Sequence, residues 1–343
     1  MRKYLLPETG NFYKGNLHTH TNVSDGSMSP EDVKKMYKDA GYSVVAFTDH
    51  DIVAPQNHLT DDEFLAITGM ENYINTPIIR RKDWDFNFMQ TYHLCFLAKD
   101  PDNVVCPAFA EQYVERPHSL AYMTEEMKKY AYDREYSQAF VNKIIKEANE
   151  AGFLVTYNHP AWSLQNYKDY GDLEGLWGVE VYNTAGARGF FPDNNQAFVD
   201  MIMEGKNVFP VAADDSHTLN SALGGHVWIK AEKLEYKTIM DALERGDFYA
   251  STGPEITELF VENECLFVKT KGAEAIYLNT ECRFGSIVKG KDEVGFNLKD
   301  YLTVLRADDC QDPFRPFVRV TVRDKDGGMA QTRAYFLDEI GLL

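Results

Sequence analysis

Between about residues 15 and 253 the chain alternates short apolar, β-rich runs with amphipathic stretches, the pattern that folds into a mainly parallel sheet covered by helices. Residues 15–20, 43–48, 91–97, 153–157, 178–182 and 208–212 are predicted strands. Residues 30–40, 138–151, 195–204 and 237–245 are predicted helices. The first has Ser29 as N-cap, Pro30 at the opening position and Gly41 past its last turn. The second places Phe140, Ile144, Ile145 and Ala148 on one face and stops at Gly152. After Gly253-Pro254 the pattern changes to short runs at 266–270, 275–278, 304–307, 317–322 and 334–337, punctuated by turn residues such as Asp326-Gly327-Gly328. No long helical pattern intervenes, so 255–343 is predicted to be a small antiparallel, sandwich-like β domain behind an α/β domain at 1–254.

Composition adds exclusions. The 44% of hydrophobic residues is enough for a sizeable core, and 13% aromatics argues against disorder. With 35 basic against 53 acidic residues the net charge is −18, and Lys and Arg are scattered, so a protein that wraps a nucleic-acid polymer is not expected. A small anionic substrate remains compatible, because bound cations reverse the local potential. Cys95, Cys106, Cys265, Cys282 and Cys310 form no C-x-x-C pair and read as buried small hydrophobes in a reducing compartment. No stretch approaches the roughly 18 apolar residues of a membrane span. A cytoplasmic location is expected, or a secreted or periplasmic one if a signal peptide has been trimmed ahead of Met1. The oligomeric state is not legible.

The informative feature is where the histidines fall. Of nine, His18, His20, His50, His93, His159 and His217 lie at or beside the C-terminal ends of predicted strands, the edge on which α/β folds assemble sites. His18-Thr19-His20 on an extended strand points both rings to one side. Asp25-Gly26 follows in a turn, where an Asp by default organises backbone. Thr48-Asp49-His50-Asp51 ends a buried run, Glu71 follows Ile67-Thr68-Gly69-Met70, and Pro160 stiffens the turn that presents His159. Asp215 and His217 form a D-x-H pair, with Asp214 as an extra acid. His93 alone reads as a core histidine and Glu71 alone as surface charge. Together, oxygen and nitrogen ligands closing successive strands specify a multinuclear site for two to three divalent ions of Zn, Mn or Fe. His58, His118 and His226 read as peripheral.

In this order and spacing, His18-x-His20, Ser24-Asp25-Gly26, Thr48-Asp49-His50, Glu71, His93-Leu94, Asn158-His159-Pro160 and Asp215-x-His217 resemble the PHP (polymerase and histidinol phosphatase) superfamily over about residues 12–253. Residues 246–254, with Val318-Arg319-Val320 and Asp326-Gly327, resemble a subgroup with a β-rich C-terminal domain that includes phosphoesterases and carbamate hydrolases. The resemblance implies a distorted (β/α)7 barrel with metals at its mouth. It implies a first metal on His18, His20, Glu71 and Asp215, a second on Glu71, His93 and His159, and a third on Asp25, His50 and His217. At Asp25 the family often has a histidine instead. Glu71, Asp215 and His217 would be the catalytic residues, and Asp214 would support a ligand without being one. The implied activity is hydrolysis of a small phosphate mono- or diester of a metabolite or nucleotide by metal-activated water. Arg188, just past Tyr182-Asn183-Thr184, is a candidate contact for an anionic group, and Trp162 a candidate apolar wall. Two other readings stay open: hydrolysis of a carbamate, amide or carboxylic ester on the same metals, and a non-catalytic metal-binding interaction protein.

Overall fold

The computed structural model describes residues 2–77, 79–80, 87–129, 133–191, 195–307 and 313–343. Seven strands carry the α/β part: β1 (Asn11–Asn16), β2 (Val44–Phe47), β3 (Leu65–Asn75), β4 (Thr91–Ala98), β5 (Phe153–Tyr157), β6 (Gly178–Asn183) and β7 (Phe209–Ala213). They lie side by side in chain order. β1 to β3 are parallel, as are β5 to β7, while β4 is antiparallel to both β3 and β5. The predicted helices form as Pro30–Asp39, Gln138–Glu150, Asn195–Met203 and Tyr236–Arg245. Ser29 and Ser137 cap the first two by accepting backbone N–H groups of Asp32 and Phe140.

The period-two alternation of strands explains where the site forms. Val44 and Ala46 of β2, Leu65 and Ile67 of β3, Leu97 of β4, Leu154 of β5 and Val211 of β7 converge in one buried cluster on the inner face of the curved sheet. Glu71 has the parity of Leu65 and Ile67, and His93 that of Leu97, so apolar core and polar ligands occupy one face at different heights. Val45 and Phe47 point the other way, against the Pro30–Asp39 helix, where they pack with Val33 and Tyr37.

Two expectations need correction. The alternation expected of a distorted (β/α)7 barrel is interrupted because β3 pairs with antiparallel β4, with no helix between them among the described residues. The sheet does not close into a barrel either, because the free edge of β1 is taken by the antiparallel strand His226–Ala231. Just beyond the strands, two backbone hydrogen bonds link the β1 and β7 ends: His20 N donates to Ser216 O and Asp215 N to His18 O, both at 3.0 Å.

From His226–Ala231 the same sheet continues through Phe248–Ser251, Met329–Gln331, Phe317–Arg323, Ala275–Thr280 and Gly285–Lys289. A second sheet of Lys3–Tyr4, Glu255–Glu262, Cys265–Lys271 and Glu293–Asn297 packs over these later strands. Ile256, Leu259, Leu266 and Val268 of one layer meet Ile276, Leu278, Val320 and Val322 of the other. Backbone pairing therefore crosses residue 254 twice, through Lys3–Tyr4 with Glu255–Glu262 and through Phe248–Ser251 with Met329–Gln331. The 304–307 run is not a strand: Lys299–Leu305 is a helix that buries Tyr301 and Leu302 in the sandwich core. Cys95 and Cys106 are buried as expected, but Cys265 is half-buried and Cys282 exposed, and Cys310 lies outside the described residues. Among the described residues no helix is long and apolar enough to cross a membrane.

Candidate metal centre

The structure brings all nine expected ligand side chains together in overlapping groups. Within each group the ligand atoms lie within 4.8 Å of one another: His18, His20, Glu71 and Asp215; Glu71, His93 and His159; and His20, Asp25, His50 and His217. His18 and His20 sit just past the end of β1, where Asn16 holds the turn by donating to His18 O at 3.0 Å. Asp49 builds the next loop, accepting from the backbone N–H groups of Thr21 and Ser24 at 2.7 and 3.1 Å, and so places Asp25. Asp214 turns away from the cluster. Its carboxylate accepts from Tyr37 Oη, Thr184 Oγ1 and the N–H groups of Leu223 and Gly224 at 2.5–2.9 Å.

Asp51, His159 and Asp215 adopt φ of +57°, +27° and +53°. Such backbone costs of order 1–3 kcal/mol per residue. Each is held by a hydrogen bond from its own N–H: to Glu71 O at 2.8 Å, Glu180 Oε2 at 3.0 Å and His18 O at 3.0 Å respectively.

The spacing of the donors suits cations better than hydrogen bonds. His18 Nε2 lies 3.1 Å from His20 Nε2, 3.2 Å from Glu71 Oε1 and 3.3 Å from Asp215 Oδ1. His93 Nδ1 and His159 Nε2 lie 3.1 and 3.4 Å from Glu71 Oε1. Two ligands 2.0–2.1 Å from a tetrahedral ion are about 3.3 Å apart. His20 Nδ1, His50 Nδ1, Glu71 Oε2, His93 Nδ1, His159 Nε2 and Asp215 Oδ1 are all buried without a hydrogen-bond partner. Six orphaned polar atoms in one place would be costly unless something else satisfied them, and this donor set fits divalent metal ions. The third group is looser and wetter. Asp25 Oδ2 is 3.1 Å from His217 Nε2 and 3.8 Å from His50 Nε2, and the side chains of Asp25 and His217 are each about a third exposed.

Burial penalises charge throughout the cluster, but opposite charges outweigh it at several members. Glu71, Asp215 and Glu180, with Cys95, raise His18 well above the usual histidine range, and Asp215 and Glu71 raise His20 likewise. His159 is raised too, by Glu71 and Asp215. The imidazoles in turn hold Glu71 and Asp215 well below the usual carboxylate range. Burial and the neighbouring His20 push His50 down to about 3, and burial lowers His93. Metal ligation requires neutral imidazoles, so a cation must displace protons from His18 and His20, which their acidic neighbours hold well above the usual histidine range. Zinc uptake by the metal-free protein is therefore expected to release more than one proton per chain at pH 7, and affinity is expected to fall as pH drops. A pH-stat titration reads this directly; release of less than half a proton would contradict it.

Trp162 lies at the mouth, 45% exposed, with its ring 5.1 Å from that of His159 and 5.5 Å from that of His93. With Tyr73, Met89 and Glu115 it bounds a cavity of about 400 Å³ over the ligands. Arg188 does not line this cavity. Its Nη1 donates to Asn220 O and Ala222 O, both at 2.7 Å, so its guanidinium pins the loop after His217. His58 is exposed and paired with Glu31 at 3.6 Å, His118 reaches Asn22 O at 2.8 Å, and His226 is buried against Tyr42 and Trp228. A larger groove, lined by Tyr13, Asp61, Asp102 and Tyr236, contains none of the nine ligand residues.

Two charged residues beside the site carry no clear signal of their roles in the sequence. Glu180, mid-strand in β6, lies 2.7 Å from His18 Nδ1. Arg134 bonds Asp51 Oδ1 at 2.5 Å from beneath the Tyr73 and Tyr113 rings. A charged residue between Val179 and Val181 was the available signal for Glu180; Arg134 sits in an irregular stretch that offered none.

Residues 16–154 match the model of the PHP domain. No curated protein matches the chain. Several solved structures resemble it at low identity. A two-domain protein from Bacteroides vulgatus, containing a predicted PHP-like metal-dependent phosphoesterase, is 15% identical over 97% of this chain and 98% of its own, with a TM-score of 0.44. A Bifidobacterium adolescentis protein, provisionally named a metal-dependent phosphoesterase, is 19% identical over 70% of this chain and 98% of its own, with a TM-score of 0.40. A lesion-specific endonuclease from Pyrococcus furiosus is 15% identical over 68% of this chain and 56% of its own, also with a TM-score of 0.40.

Proposed function

Since residues 16–154 carry a PHP domain whose ligand-bearing residues converge with His159, Asp215 and His217, we propose that the chain is a metal-dependent phosphoesterase. Its substrate in this reading is a small phosphate monoester or diester. The observation that carries the proposal is the set of six buried, unpartnered ligand atoms facing one another beneath an open cavity.

His18, His20, Glu71 and Asp215 would hold one divalent cation, Glu71, His93 and His159 a second, and Asp25, His50 and His217 a third. Bound cations acidify water into the neutral range and neutralise the charge of phosphoryl oxygens. The protein's own residues do the arranging. Glu71 belongs to two groups and fixes their spacing, held by Asn158 Nδ2 at 2.7 Å. Asp215 presents Oδ1 to His18 and His20 and is itself oriented by Asn183 Nδ2 at 3.2 Å. His217 stands at the solvent edge, its Nδ1 donating to Asp215 O at 3.0 Å, which leaves Nε2 to face Asp25. Trp162 and Tyr73 line the cavity over the ligands. A cavity of about 400 Å³ is at the small end for metabolite sites. Residues 255–343 are scaffold in this reading; among the described residues, none of them lines the cavity.

The test is phosphate release by the zinc-, manganese- or iron-repleted protein from a panel of small phosphate monoesters and diesters. Carbamates, aryl esters and single- and double-stranded DNA run alongside. Turnover confined to small phosphoesters is expected. Turnover confined to carbamates, esters or DNA, or none with any metal, would overturn the proposal. His58→Ala, which alters an exposed side chain, is expected to leave metal content and rate within about twofold, a change under ~0.5 kcal/mol.

A further inference from the structure

Glu180 lies in the interior of β6 and is 1% exposed. Both of its oxygens are engaged. Oε1 is 2.7 Å from His18 Nδ1, and Oε2 accepts from the backbone N–H of His159 and from Asn183 Nδ2, each at 3.0 Å. Asn183 Nδ2 also reaches Asp215 Oδ2 at 3.2 Å. One buried carboxylate is thus connected to ligand residues beyond the ends of three strands, β1, β5 and β7.

The 2.7 Å separation decides what Glu180 does. A tetrahedral ion bound by both atoms would hold them about 3.3 Å apart, so His18 Nδ1 and Glu180 are hydrogen-bonded. Carboxylate oxygens accept, so Nδ1 keeps its proton, and it is Nε2 that gives up its proton and offers a lone pair when a cation binds. Nε2 is the atom that faces His20, Glu71 and Asp215. Position 159 has the strained φ of +27°, and its N–H is held by the other oxygen of the same carboxylate.

We propose that Glu180 is a positioning residue of the metal centre: it fixes the Nε2-ligating tautomer of His18, anchors the turn that presents His159, and orients Asp215 through Asn183. The proposal rests on the reading of the cluster as a cation site and not on phosphoester chemistry. Carboxylates behind ligating histidines raise ligand basicity and set ring orientation, and losing such a partner typically costs 10–100-fold in metal affinity.

The experiment uses zinc alone and the full chain. In ¹⁵N-histidine-labelled, zinc-loaded wild-type protein, the NMR spectrum is expected to show His18 protonated on Nδ1 and metal-bound through Nε2. Metal on Nδ1 would overturn the proposal, and this measurement needs no variant to fold. Glu180→Gln keeps the volume, but its amide can satisfy either His18 or the two donors at Oε2, not both. Chelator competition is expected to show about 10–100-fold weaker zinc binding for at least one equivalent in this variant, with the His18 tautomer no longer uniform. Wild-type affinity with an unchanged tautomer in a folded Glu180→Gln protein would refute the role. Neither readout involves phosphate release, so a failed hydrolysis test and a failed Glu180 test are distinguishable.

Discussion

Replacing Glu71 by Ala is expected to abolish turnover and to lower bound metal by more than one equivalent per chain. Oε1 of Glu71 lies within 3.4 Å of ligand nitrogens of His18, His93 and His159, and Oε2 within 3.4 Å of those of His20 and His50. The side chain is 1% exposed, so water cannot replace it without rebuilding the cavity. Losing it leaves five imidazoles facing one another without their central anion, which disfavours any cation among them by several kcal/mol. At about 1.4 kcal/mol per tenfold, a rate loss of at least ~10³-fold follows. Elemental analysis after metal repletion, paired with a rate measurement, reads both effects. Glu71→Gln separates charge from volume and is expected to lose metal as well. Full occupancy in either variant would show that Glu71 is peripheral.

Arg134→Met is expected to destabilise the fold by about 3–5 kcal/mol, the usual result of leaving one partner of a buried ion pair alone. For a chain of this size the melting temperature should fall on the order of 10 °C. Asp51 is fully buried beside His50, and burial raises its carboxyl to about 6 despite the Arg134 charge. Arg134 also donates to Tyr73 O at 2.8 Å and Ala108 O at 3.2 Å, so it ties the strand that carries Glu71 to the cover over the site. Adding Asp51→Asn is expected to restore part of the loss, because the orphaned charge is gone; Asn72 Nδ2, 2.9 Å from Asp51 Oδ1, can still bond the amide oxygen. A melting temperature within 2 °C of wild type for Arg134→Met would show that the pair is solvated and weak.

Local signals carried a large part of the reading. Ser29-Pro30 starts a helix where capping chemistry says it should, and the imidazoles needed only chain order to be recognised as a set, although His93 lies near the start of antiparallel β4 and not at a C-terminal strand end. Errors arose where distant segments decide. Glu71 reads as the end of the run Ile67-Thr68-Gly69-Met70, yet β3 continues to Asn75 by pairing with β4. His18 and His20 were placed on the first strand, which ends at Asn16. The 304–307 run is too short for its period to separate strand from helix. Arg188 stands near the end of β6 in sequence, but two backbone carbonyls 32 and 34 residues further on capture it. A closed barrel failed for a similar reason: nothing local reveals that His226–Ala231 takes the edge of β1.

The bridge from His18 and His20 to Asp215 and Ser216 spans nearly two hundred residues of chain, and the pairing of Lys3–Tyr4 with Phe260 and Val261 spans still more. Loop-closure entropy makes such contacts late events in folding. During synthesis the ligands of the first strand ends emerge long before Asp215, and the first pair of residues in the second sheet waits for its partner strand. A ribosome-bound nascent chain arrested before Asp215 therefore lacks one member of the His18, His20, Glu71 and Asp215 group, so the proposed cation site is completed only after that residue has emerged.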